Sequence, residues 1–328
     1  MGFKICLVGC GAIALHQHGP AIKRYAEFNL DTVFAACCDT DKERAIAFKE
    51  AFGLPKYYTN INEMLNNERP QAVSLTVPTG VTASLSCKIL SMGYPLILEK
   101  PPGLNSAETL RMAESAKDVP NFVAFNRRYM PIVQKAASLI NKWGGADIIT
   151  DINYRMIRVG RADSDFSTTA IHGIDLVKYI AQSDYKNVAF KYKEMPQYGK
   201  TVANFHMFCE MENGVVTCLD FLPMSGLNTE RIEINTHNGL LVLCLPIWAG
   251  CFDGHGKLSH YVKNEEVLCI KGDEFGSTDE FVIGGFYHEN EAFFDGLKRG
   301  ELFNDGIKSG LQSVDIVDCI RNRRAHYA

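Results

Sequence analysis

Six residues near the N-terminus, Gly9-Cys10-Gly11-Ala12-Ile13-Ala14, follow the pattern G-x-G-x-x-G/A. They come after an apolar run of strand length, residues 3–8, and open a helical pattern over 14–28. In that context the pattern predicts a phosphate-binding turn. Gly9 permits the tight turn, Gly11 lacks a Cβ and lets backbone approach a pyrophosphate, and Ala14 is small enough for helix-on-sheet packing. Ala12 and Ile13 stand in the first turn, where a helix offers free N–H groups and partial positive charge. Asp39 follows the next strand candidate, 31–38. Its carboxylate can accept hydrogen bonds from both adenosine ribose hydroxyls. A carboxylate there repels a 2′-phosphate and no Arg follows immediately, so the residues favour NAD, with NADP as the alternative. A Rossmann-like turn that serves another ligand is the competing reading.

A second group, Glu99-Lys100-Pro101-Pro102, follows an apolar strand at 96–98. Loops at the carboxyl ends of parallel strands face the ligand crevice. Proline stiffens the backbone and keeps Lys100 out of the helical region. A lysine held in an apolar crevice has its charged form disfavoured, which suits a general acid/base for a hydroxyl proton. A surface lysine before a turn fits the spacing as well. Further on, His172 and Asp175 stand i,i+3 on one helical face. Either His172 meets a substrate hydroxyl, or it is a helix histidine satisfied locally. Asn126, Arg127 and Arg128 fit substrate contact and salt bridging equally.

The elements that must position these groups change character along the chain. Up to about residue 125, strand and helix patterns alternate: strands at 3–8, 31–38, 72–77, 96–98 and 122–125, helices at 14–28, 41–52, 82–92 and 105–117. That alternation predicts a parallel sheet covered on both faces. Gly53 reads as a helix C-cap, Asn105 or Ser106 as an N-cap, and Pro78 as a strand stop after Val77. Beyond residue 125, helices remain at 131–142 and 169–180, among longer strand runs. Asn213-Gly214 separates 204–212 from 215–222, and Asn238-Gly239 separates 231–236 from 240–245. Such turns predict hairpins with both turn residues at φ > 0. Two helices, 288–298 and 309–321, close the chain. The expected fold is α/β: an N-terminal Rossmann domain over 1–125 and an α/β domain with a mostly antiparallel open sheet over 126–328.

Composition sets limits. The 328 residues are 46% apolar and 22% charged, enough for about two domains at roughly 150 residues each. Thirty-four basic against thirty-eight acidic residues leave a net charge of −4, too balanced for a nucleic-acid binder. The longest nearly apolar stretch, 240–250, is about half the ~20 residues of a membrane helix, and no signal peptide is visible. Eleven cysteines form no C-x-x-C pair and several sit in strand-like runs, which predicts reduced thiols in a cytoplasmic protein. His16 and His18 are i,i+2 and do not share a helix face. His288-Glu289 lacks the second histidine of a metalloprotease helix, so no metal site is expected. Gly199-Lys200-Thr201 lacks the first glycine of a phosphate loop, and no G-x-S-x-G is present.

Taken together, Gly9-x-Gly11-x-x-Ala14, Asp39, Val77-Pro78, Glu99-Lys100-Pro101, Phe125-Asn-Arg-Arg-Tyr129-x-Pro131, His172-x-x-Asp175 and the segment from His288 through Gly300 resemble the glucose–fructose oxidoreductase / inositol dehydrogenase (Gfo/Idh/MocA) family. The resemblance covers nearly the whole chain. It implies an NAD(P)-binding Rossmann domain, contacted through Gly9, Gly11, Ala12, Ile13, Ala14, Asp39, Val77, Pro78, Glu99 and Lys100. It also implies an open second sheet that packs against another subunit, as a homodimer or homotetramer. Lys100 and His172 become the catalytic groups, with Arg128, Thr168 and His172 at the substrate. Two positions depart from the family. Thr168 stands where a carboxylate usually precedes the histidine by one turn, and Thr79-Gly80-Val81-Thr82 replaces the usual Asn-x-x-His. The expected activity is hydride transfer between nicotinamide and a sugar, sugar acid or cyclitol. Thr168 keeps open a cofactor-bound sugar sensor without turnover, and an NAD-dependent glycoside hydrolase is a further alternative. Neither nucleic acid nor membrane is an expected partner.

Overall fold

The computed structural model describes residues 2–248, 250–301, 303 and 306–328. The chain divides into two compact units, Met1–Asn126 with Gly285–Val314, and Arg127–Gly284 with Asp315–Ala328. The first break falls at residue 126/127. Residues 285–314 join the first unit, although the sequence reading assigns all of 126–328 to the second.

The first unit holds six parallel strands: β1 (Phe3–Val8), β2 (Thr32–Cys38), β3 (Lys56–Tyr58), β4 (Ala72–Leu75), β5 (Leu96–Glu99) and β6 (Asn121–Ala124). Their order, β3-β2-β1-β4-β5-β6, is that of a doubly wound sheet, whose direction of winding reverses between β1 and β4. Ile5, Leu7, Val73 and Leu96 are almost fully buried, as strands covered on both faces require. The crossovers are α1 (Gly19–Phe28), α2 (Lys42–Phe52), α3 (Ile61–Glu68), α4 (Thr79–Ser91) and α5 (Ser106–Ala116). Asp41 caps α2 by accepting from the Glu43 and Arg44 amides, and Gly53 ends it at φ +63. Asn105 caps α5.

The second unit contributes α6 (Pro131–Trp143), β7 (Ile149–Val159), α7 (Ser167–Ala181), β8 (Tyr185–Glu194), β9 (Ala203–Met211), β10 (Val216–Ser225), β11 (Thr229–Thr236), β12 (Gly239–Cys244), β13 (Lys257–Val262), β14 (Glu265–Lys271) and α8 (Glu280–Ile283). After these come α9 (Phe286–Arg299) in the first unit, α10 (Leu311–Arg321), which crosses from the first to the second, and β15 (His326–Tyr327) in the second. The second sheet runs β14-β13-β12-β11-β7-β10-β9-β8-β15. Only the β7–β10 pairing is parallel; its other pairings are antiparallel.

Both Asn-Gly positions form hairpins, but only the glycines are left-handed, Gly214 at φ +85 and Gly239 at φ +118. The turns are therefore not the expected pair of φ > 0 residues. Asn213 instead bonds through its side chain to the Ala181 carbonyl, and Thr236 holds the Asn238 amide. All eleven cysteines are free; Cys269 is exposed. No helix among the described residues is long and apolar enough to cross a membrane.

Glu230 is the electrostatic centre of the second unit. Fully buried, it accepts from Arg127 at 2.5 and 2.9 Å, from Tyr154 at 2.5 Å, and from Arg158. Burial pushes its carboxyl up, but Arg127 and Arg158 more than offset this and lower it to about 2. The stabilisation is present above the ordinary carboxylate range and is lost as pH falls toward 2. Glu230→Gln leaves two guanidinium groups buried and short of compensation. It should cost roughly 3–5 kcal/mol in urea unfolding at pH 7 and flatten the acid limb of the stability curve. An unchanged midpoint would show that this cluster contributes little.

Candidate functional site

The glycine loop is wedged between strand ends. The Gly9 amide donates to the Cys38 carbonyl at 2.8 Å, and the Thr76 hydroxyl donates to the Gly9 carbonyl at 2.7 Å. Gly9 has φ +94, and a Cβ there would lie 2.5 Å from the Thr76 carbonyl oxygen. Conformation and space both demand glycine. At Gly11 an added Cβ would meet nothing within 4 Å. Ala12 and Ile13 are exposed, whereas Ala14 is fully buried. The Leu15 amide bonds to the Gly11 carbonyl at 2.9 Å, so the amides before it precede the helical ladder.

Asp39 does two jobs where the sequence suggested one. Its carboxylate accepts from the Cys10 amide at 2.8 Å and the Asp41 amide at 2.9 Å, which ties it to the loop. It also accepts from Arg44 at 3.2 Å. No arginine follows Asp39 directly in sequence, but α2 brings one back. Arg44, Asp39, Gly9, Gly11, Val77 and Pro78 line one cleft of about 690 Å³ beside the β1/β4 switch point. Room beside Gly11, helix-end amides and an acid after β2 fit the diphosphate and ribose of a dinucleotide.

Glu99 and Lys100 leave the carboxyl end of β5. Glu99 accepts the Lys100 amide at 3.1 Å and pairs with His18 at 2.9 Å. Burial pushes the Glu99 carboxyl up, but the His18 contact and the Lys100 charge outweigh it and hold it below the ordinary range. Lys100 itself is half-buried. His18 is a partner the sequence reading missed. Its i,i+2 spacing from His16 argues against a shared site and gives no hint of Glu99.

In the second unit, α7 packs flush on β7 because residue 173 is glycine. A Cβ there would lie 2.2 Å from the Tyr154 ring. His172, the residue before it, is half-buried. Thr168, one turn earlier, donates to the Asp165 carbonyl at 2.9 Å and carries no charge. Arg128 is buried and clamps Asp175 in a two-point pair at 2.8 and 2.5 Å. Arg127 is spent on Glu230. Among the described residues no group of three or more histidine, cysteine or acidic side chains could hold a metal ion.

Residues 3–126 match the Gfo/Idh/MocA family model, described as an oxidoreductase family with an NAD-binding Rossmann fold. An uncharacterized protein of Saccharomyces cerevisiae is 32% identical over 146 residues, 43% of this chain and 41% of that protein. Myo-inositol 2-dehydrogenase of Thermotoga maritima is 26% identical over 189 residues, 54% of this chain and 56% of the enzyme. The chain spans about half the length of the curated relatives it matches. Among solved structures, levoglucosan dehydrogenase in complex with NADH and L-sorbose superposes with a TM-score of 0.82 at 16% identity. It covers 100% of this chain and 98% of its own, which shows a shared fold.

The two loop glycines separate folding from binding. Gly11→Ala should keep the melting temperature within about 2 °C, since its methyl enters open space, yet weaken NADH binding at least about tenfold in calorimetry. Gly9→Ala should lower both. Equal NADH affinity in Gly11→Ala and the parent would remove Gly11 from the phosphate cradle. Sheet order, loop geometry and the matched model agree: residues 3–126 form an NAD-binding Rossmann fold of the kind that the Gfo/Idh/MocA oxidoreductase model describes.

Proposed function

We propose that this protein is an NAD-dependent dehydrogenase acting on a hydroxyl-bearing carbon of a sugar, sugar acid or cyclitol. The observation that carries the reading is Lys100, half-buried at the carboxyl end of β5 in the same sheet as the glycine loop. Bound nicotinamide supplies the hydride acceptor. Lys100 takes the hydroxyl proton, and Glu99 keeps a negative charge beside it. His172 is the second catalytic group, and it lacks the carboxylate that would stabilise an imidazolium. Relatives named for myo-inositol and a neighbour named for levoglucosan support a polyhydroxylated substrate. Arg44 beside Asp39 supports some tolerance for NADP. Eleven free cysteines support a reducing, cytoplasmic setting. Exposed Phe208 and Val216 on the second sheet support a homo-oligomer.

A second reading, a cofactor-bound sugar sensor, is favoured by the uncharged Thr168. The two separate in one assay, a panel of polyols and keto-sugars followed by nicotinamide absorbance. Redox change supports the dehydrogenase, and binding without it supports the sensor. For the dehydrogenase, Lys100→Met should lower kcat/KM by about 10²–10⁴-fold while NADH binding holds. Turnover at the parent rate would strip Lys100 of the assigned role.

A further inference from the structure

The helix that follows the glycine loop does not begin regularly. Across Ala14–His18 the chain makes a π turn, and the Gly19 amide reaches back five residues to the Ala14 carbonyl. Such a turn inserts one residue and re-aims those beside it, and these insertions gather at functional positions. Here His18 faces inward, 1% exposed, while His16 stays at the surface.

The inward histidine has a defined proton. Asn290 Nδ2 lies 3.1 Å from His18 Nδ1 and also donates to the Phe286 carbonyl at 2.8 Å, which orients the amide. His18 Nδ1 therefore accepts. Its Nε2 carries the hydrogen and donates to Glu99 Oε1 at 2.9 Å. The other Glu99 oxygen accepts the Lys100 amide. The Phe286 ring meets the imidazole edge-on at 5.4 Å. Glu289, next to Asn290, is fully buried, and burial together with the Glu99 charge pushes its carboxyl well above the ordinary range. All of these groups belong to the first unit.

We infer that His18 is a positioning residue for Lys100: the line Asn290–His18–Glu99 fixes the imidazole tautomer, the carboxylate and the backbone at residue 100, and so sets where the lysine ammonium stands. The inference rests on Lys100 acting as the acid/base of the proposed reaction. An acid/base is held in place by neighbours that are themselves hydrogen-bonded, and here Asn290 bonds His18, His18 bonds Glu99, and Glu99 bonds the Lys100 amide.

The test uses the full chain with ¹³C-methylated lysines. The Lys100 methyl signal is assigned by its loss in Lys100→Arg and titrated by NMR. His18→Leu keeps bulk and removes the donor, while His18→Gln keeps an N–H for Glu99. The Leu variant should raise the Lys100 midpoint by about half a pH unit or more, because Glu99 then turns to the ammonium for compensation. The Gln variant should stay within about 0.2 unit of the parent. Equal midpoints in all three proteins overturn the inference. So does a Leu variant closer to the parent than Gln, the order expected of a side chain that only fills space. If the Leu variant does not fold, the ¹⁵N signals of His18 in the parent decide. Protonated Nε2 with bare Nδ1 from pH 6.5 to 9 supports the inference, and a protonated Nδ1 overturns it. Turnover surviving in Lys100→Met would remove the catalytic reading alone and leave these NMR outcomes untouched.

Discussion

The Thr76 carbonyl oxygen lies 2.5 Å from where a Cβ on residue 9 would stand. That approach between the ends of β1 and β4 orders much of the first unit. It exists because residue 9 is glycine with positive φ, and it is held by the Thr76 hydroxyl on the Gly9 carbonyl. With the loop seated there, Gly11 faces open space and Ala14 is fully buried. Asp39 locks the arrangement from the β2 side through the Cys10 amide. The cradle's shape is held by packing and hydrogen bonds within the protein itself, and a site held in that way lowers the ordering cost of binding.

Buried carboxylates organise the rest. Glu99 and Glu230 are each compensated, but by different means. Glu230 sits among two guanidinium groups and a phenol, and serves the second unit's integrity. Glu99 takes one imidazole and a backbone amide, a smaller set that leaves its charge available to Lys100. The contrast follows from the cost of burying charge. A carboxylate with full cationic compensation is inert, whereas one held by hydrogen bonds still acts on a neighbouring ammonium. Arg128 with Asp175 belongs to the inert kind, a clamp within the second unit.

Much of this was legible in the residues, and what was not has physical reasons. β1, β2, β5 and α2 were readable because each has a local signal: an apolar run, a cap, a glycine stop. The three residues of β3 and the polar helix α3 carry too little pattern to stand out. β7 and β8 alternate with polar residues on an open face, which blurs their apolar count. Arg44 and His18 were missed for a different cause. Each reaches its partner through helix geometry, and the π turn that aims His18 has no sequence mark. The return of residues 285–314 to the first unit depends on contacts such as Tyr25 with Asp295 and Phe122 with Phe293, which join distant parts of the chain.

The central claim is that the cleft beside the switch point holds a nicotinamide dinucleotide. Titration of NADH into the full chain by calorimetry tests it most directly. One site per chain with micromolar affinity is the predicted result. An absence of binding heat for both NAD(H) and NADP(H) up to millimolar concentration would contradict it.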